Sequence, residues 1–248
     1  MKLKTCWMLA LLAAPMLSHA ETIAAPAIKA GDTWAYLNTL QTGADTTKQS
    51  HDSIVALRTD ADHIYFEIKT AGSTQPPLQS VAGANWSRSR ELNGVETVIS
   101  EPLSFPLTAG KQWRIKYTEA QPNGQAVTRT YDTTLRVVGH EAVDVPAGHF
   151  DAIKIEGNGQ WTNHTAPAQP NGKPTDVSGK LYKAFWYVPK INRWVKSIEQ
   201  FDNPNGKHSQ RMTSELESFQ VGSGKVDATA APAAPAKSKG KTPGASMI

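Results

Sequence analysis

Beyond its N-terminal leader the 248-residue chain carries six histidines and a scatter of carboxylates that are chemically able to hold a metal or move a proton. His140, Glu141, Asp144, His149 and Asp151 form the one loose cluster with the donor types zinc takes, because a turn at Pro146-Ala147-Gly148 would fold His140 towards His149. The sequence has no HExxH and no close histidine pair, so these residues read as surface histidines and no metal site is expected. Glu67, Glu141, Glu156 and Glu199 are available as the acid and base of a glycoside hydrolase, whose two carboxyl groups can come from different strands. Nucleophilic catalysis finds no G-x-S-x-G, no S-x-x-K and no cysteine beyond Cys6 in the leader. The residues therefore assign no catalytic group and no cofactor. They favour a non-enzymatic protein, with a cell-wall hydrolase using paired carboxylates as an alternative.

The aromatic residues are more suggestive. Leu181 to Val188 reads LYKAFWYV, with Tyr182, Ala184, Trp186 and Val188 on one face of a strand and Leu181, Phe185 and Tyr187 on the other. A strand apolar on both faces is either covered on both or lines a cavity. Ordinary core is the competing explanation, since burying a large side chain stabilises a small β-protein by about 1.5–3 kcal/mol. The expected ligand-lining residues are Trp161, Phe185, Trp186, Tyr187 and Trp194.

The elements that must position these side chains are strands. His63 to Lys69 alternates, with Ile64, Phe66 and Ile68 on one face and His63, Tyr65, Glu67 and Lys69 on the other. Val127 to Val138 does the same at greater length, and further strands are expected at 33–40, 53–59, 85–91, 95–100, 113–119, 142–145, 150–157, 181–188 and 194–201. Turn residues such as Asn93-Gly94 and Asn203-Pro204-Asn205-Gly206 separate them. Pro76-Pro77 reads as a loop breaker, and Thr162 to Gly179 as a surface loop. In Arg211 to Phe219 the residues Met212, Leu216 and Phe219 have helical spacing, but the setting favours an edge strand. Short connections imply antiparallel pairing, because parallel neighbours need crossovers of about a dozen residues.

Residues 1–20 have the form of a secretory signal: Lys2 and Lys4, an apolar run from Cys6 to Leu17, and Ser18-His19-Ala20 before the expected cut. No later run approaches the ~20 apolar residues that span a bilayer as a helix. Residues 222–248 are rich in Ala, Pro and Lys and are expected to be a disordered tail. The leader holds two lysines and the tail four lysines against one aspartate, so the formal charge of +4 for the whole chain becomes −1 for residues 21–221. Such a body has no electrostatic reason to bind nucleic acid.

Three motifs carry a resemblance. Leu103-Ser104-Phe105-Pro106-Leu107 followed by Gly110-Lys111-Gln112-Trp113 is similar to an F-P-L…G-K-x-W pattern. Val145-Pro146-Ala147-Gly148-His149-Phe150-Asp151-Ala152 is similar to V-P-A-G-x-F-x-A, and Trp186 to Lys196 to W-Y-x-P…V-K. Together they resemble an uncharacterised family of exported bacterial β-proteins, some of which look like the half-barrels of periplasmic lipoprotein carriers. Asn192 stands where that pattern usually has glycine.

The expectation is thus a mainly β protein with little helix: one domain over 21–221, an antiparallel meander curled into a half-open barrel or sandwich. The resemblance implies a periplasmic protein that binds a lipid or another apolar or amphipathic envelope component in the hollow of its sheet. An envelope protein-protein interaction module is the other alternative. The sequence leaves the oligomeric state open.

Overall fold

The structure is a computed structural model, and it describes residues 22–43, 46–122, 127–167 and 172–222. The expected leader and nearly all of the expected tail lie outside them. Two antiparallel runs build the fold. The first comprises β1 (Thr33–Thr42), β2 (Thr46–Thr59), β3 (His63–Thr70) and β4 (Leu78–Gly83). The second comprises β7 (Gln112–Ala120), β8 (Thr128–Val145), β9 (Gly148–Thr165), β10 (Thr175–Val188), β11 (Arg193–Asp202) and β12 (His208–Gln220). Pairing of β1 with β12 joins them into one ten-stranded sheet, ordered β4-β3-β2-β1-β12-β11-β10-β9-β8-β7. Between the runs, β5 (Arg88–Leu92) and β6 (Val95–Ser100) form a separate hairpin.

Alternation decides which way each strand faces. In β1 the side chains of Trp34, Tyr36 and Asn38 are buried while their neighbours are only partly so. Their cross-strand partners, Ile54 of β2 and Leu216 of β12, share that face. Bulges at Ala35/Tyr36, Ala56/Arg58, Val137/Gly139 and Trp186/Tyr187 bend the strands, and the extra twist they add curls the sheet. The two edges, β4 and β7, do not pair with each other, so the curl stays half open.

The β5–β6 hairpin packs against both edges and covers that gap. Its Asn93-Gly94 turn has φ of 53° and 79°, the left-handed pair a two-residue hairpin needs. It is fastened by Arg90 to Glu119 of β7 at 3.4 Å and by Trp113 Nε1, which donates to the Glu101 carbonyl at 2.8 Å. At one end of the curl the β8–β9 turn folds back over β12: the Ala147 amide donates to the Leu216 carbonyl at 2.8 Å, and Phe150 meets Phe219 edge to face.

The mainly β, antiparallel, half-open fold agrees with the sequence reading, and three details differ. β4 follows directly on Pro76-Pro77; it is an edge strand, where missing amide donors cost least. β12 is a strand, as favoured, but it lies in the middle of the sheet. Its polar Ser214 is accommodated by a buried relay: Ser214 Oγ donates to Asn38 Oδ1 at 2.6 Å, and Asn38 Nδ2 donates to Asp52 Oδ2 at 2.7 Å. Half of the expected loop 162–179 is ladder, since β9 runs to Thr165 and β10 starts at Thr175. Thr162, Asn163 and His164 pair there with Ser178, Val177 and Asp176, a two-sided polar ribbon without the alternation that identifies a strand.

Candidate functional site

The site grows from the turn that joins β10 to β11. After Val188 the chain makes a single 3-10 turn, Pro189–Ile191, and leaves it through Asn192 in the left-handed region at φ 59°. Asparagine tolerates that conformation better than most residues, which is how it occupies a position the resembling motif gives to glycine. Three aromatic donors fix the turn: Trp34 Nε1 to the Ile191 carbonyl at 2.9 Å, Trp86 Nε1 to the Asn192 carbonyl at 3.0 Å, and the Tyr36 hydroxyl to the Trp194 carbonyl at 2.6 Å. Trp86 itself has φ 62°, strained for a bulky residue. Its indole is held edge to face by Trp34, Phe66 and Trp194.

These rings enclose Arg193. Only 3% of its surface is exposed. Its guanidinium carbon lies 3.9 Å from the Trp86 ring centre and 4.3 Å from that of Trp194, with Trp34 and Tyr36 within 6 Å. Such faces attract a cation. Nε and Nη1 nevertheless have no hydrogen-bond partner among the described residues. Burial disfavours the arginine's charge, and the Tyr36 hydroxyl works against that effect. Burial likewise pushes the Tyr36 phenol up to about 12, although Arg193 pulls it the other way.

Beside this cage, between β3, β4 and the start of the hairpin, lies a cavity of about 100 Å³. Phe66, Leu78, Trp86, Phe185 and Trp194 form much of its apolar wall. Its charged lining residues are Arg88, Arg193 and Glu199. Burial alone would raise the Glu199 carboxyl, but Lys183, at 3.0 Å, and Arg88 hold it below the usual glutamate range. Across Ser100 and Pro102 a smaller hollow of about 30 Å³ adjoins Tyr117, Tyr131, Leu181 and Lys183. Glu101 on its wall is raised by burial, against the pull of Lys111 and bonds from Ser104 and Asn85.

Of the five expected ligand-lining residues, Phe185 and Trp194 meet on the cavity wall, their ring centres 5.4 Å apart. Tyr187 is buried against Phe105 and does not line the cavity. Trp186 points to the opposite face, where its Nε1 donates to Glu141 at 2.9 Å and the ammonium groups of Lys154 and Lys196 lie within about 6 Å of its ring. Trp161 lies farther along the ribbon, with Nε1 donating to the Asp202 carbonyl at 3.0 Å. The sequence reading missed Phe66, Trp86, Arg88 and Arg193. Arg193 lay inside the W-Y-x-P…V-K motif; nothing local to Trp86 predicted that its turn would face the interior.

Three of the four acid-base candidates are engaged in ion pairs. Glu141 and Glu156 both contact Lys154 Nζ, at 2.9 and 3.0 Å, on the outer face. Glu199 is inside with Lys183, and Glu67 stands on β3 opposite Val55 and Gln79. His140 pairs with Asp151 at 3.0 Å and His149 with Asp144 at 2.8 Å, so the hairpin makes two separate pairs. Among the described residues no three His, Cys, Asp or Glu side chains converge as metal ligands. No helix among them is long and apolar enough to cross a membrane.

No protein-family model and no curated protein matches the chain. Two solved structures are similar to it. One is a presumed exported protein of Bacteroides fragilis with a YmcC-like fold, at 15% identity and a TM-score of 0.44 over 81% of this chain and all of that one. The other is a presumed lipoprotein of Parabacteroides distasonis, at 14% identity and a TM-score of 0.40 over the same shares.

Proposed function

We propose that this chain is an exported, non-enzymatic protein of the bacterial periplasm that holds an apolar or amphipathic envelope component against the inner face of its half-open sheet. The observation that carries the reading is the covered seam. The edges β4 and β7 leave the curl open, a hairpin spans the gap, and an aromatic-walled cavity lies directly behind it. The cavity of about 100 Å³ is smaller than the roughly 300–1,000 Å³ of ordinary ligand pockets, so a complete ligand is admitted by displacing the hairpin. Leu78 on β4 and Val95 and Val98 on the hairpin expose apolar surface along this side, as a route for an oily chain requires.

Native mass spectrometry of protein purified from an envelope fraction tests this. The expected result is a population carrying an adduct of lipid mass, and quenching or a blue shift of tryptophan fluorescence when a fatty acid is added, since Trp86 and Trp194 line the cavity. Bare protein, with no fluorescence response to fatty acid or phospholipid, overturns it.

A further inference from the structure

We propose that the cavity behind the hairpin receives a carboxylate, the head of an amphipathic acid, against the guanidinium groups of Arg88 and Arg193. The proposal rests on the reading that the inner face holds an envelope amphiphile, and adds which chemical class is taken.

The charge balance of the hollow carries it. Arg88, Arg193 and Lys183 are cations in and beside the cavity, and one carboxylate on its wall, Glu199, faces them. Lys183 contacts that carboxylate directly, and Arg88 acts on it from farther away. Among the described residues Arg193 is thus left buried with aromatic faces, a tyrosine hydroxyl and no carboxylate. A buried charge without a counter-ion is costly, and aromatic faces offset only part of that cost. Two of its nitrogens are unpartnered although the residue belongs to the cavity wall. A site arranged this way gains most from a bound anion.

The dimensions and the apolar wall select the anion. A cavity of 150 Å³ can hold benzene, so about 100 Å³ takes a small planar head but not a glycerophosphate. Phe66, Leu78 and Ala82 continue the wall as hydrocarbon towards β4, where Leu78 is 62% exposed, so the chain attached to the head has an apolar path out. A free short acid and the head of a fatty acid share this chemistry, and only the second uses that path.

Titration of the intact protein with dodecanoate, 1-dodecanol, acetate and inorganic phosphate, read by tryptophan fluorescence and calorimetry, tests the assignment. Dodecanoate is expected to bind at least tenfold tighter than 1-dodecanol, and Arg88→Gln, which leaves Arg193 in place, to reduce that ratio severalfold. Arg88 is partly exposed, so this variant tests the charge without emptying the aromatic cage. Acetate competing as strongly as dodecanoate supports the carboxylate site and identifies a free short acid as its source. Equal binding of acid and alcohol overturns the carboxylate assignment and leaves the amphiphile reading standing. Phosphate outcompeting acetate also overturns it. Binding of none of the four removes both.

Discussion

At the scale of single residues, the interior is specified by polar atoms placed among rings. Tyr36 is an example: its hydroxyl donates at 2.6 Å to the Trp194 carbonyl and lies against Arg193, with almost no water-accessible surface to replace either interaction. Removing one partner of a buried bond costs about 1–3 kcal/mol. Tyr36→Phe is therefore expected to lower urea-unfolding stability by about that much; a change under ~0.5 kcal/mol would mean the turn does not depend on this bond. Glu199 gives a pH-dependent counterpart. Because Lys183 and Arg88 hold its carboxyl below the ordinary value of 4.5 despite burial, the unfolded chain binds the proton more readily than the folded one. That contribution is complete above the unfolded value and disappears as pH falls through the folded value. Glu199→Gln also leaves the largely buried Lys183 without its partner, so the variant is expected to be less stable by about 3 kcal/mol at pH 7. Denaturation measured from pH 7 to 3 should show the deficit shrinking below about 4.5; a deficit constant with pH refutes the ion-pair explanation.

At the scale of elements, strands with one wet face were legible and strands without one were not. β3 alternates cleanly, and Ile64, Phe66 and Ile68 face inward as the period of two predicts. The outer ribbon of β9 and β10 is polar on both sides, and β4 begins beside two prolines, so neither carries that signature. The β5–β6 hairpin was legible as two strands and a turn, but its role as a cover follows from where β4 and β7 end. Its fastenings to β7 include an exposed ion pair, a pair class worth about 0–1 kcal/mol, and, just past its end, one indole bond from Trp113 to Glu101. Amide hydrogen exchange is expected to be faster in 88–100 than in β1, β11 and β12, each of which is paired along both sides. Protection of the hairpin equal to that of β1 would show that the seam does not open separately from the whole sheet, and the route proposed for a ligand would close with it.

At the scale of the whole molecule, the defining contact is the one that sequence patterning cannot announce: β1 lies beside β12, with Trp34 opposite Phe219. Local turns specify each meander, but only the completed hollow, where Trp34, Trp86 and Trp194 meet, selects this pairing over another. The five ring residues expected at the site were for that reason a mixture of inner and outer positions: period two assigns a face but not which face becomes concave. The seam between β1 and β12 is closed by Asp32, buried, whose carboxylate accepts from the Lys29 amide at 2.9 Å and the Gly222 amide at 2.7 Å. Ending the chain after Gly222 keeps every one of these contacts and is expected to leave stability within about 0.5 kcal/mol of the full chain. Ending it after Ser218 removes Phe219, which packs on Phe150, and the donor to Asp32, and leaves Trp34 without its cross-strand neighbour. Losing that much packing and one charged hydrogen bond is expected to cost more than about 3 kcal/mol. Chemical denaturation of the two truncations compares them directly. If the shorter chain were as stable as the longer, the curl would be maintained by the two meanders separately, and the closing strand pair would not be what shapes the cavity.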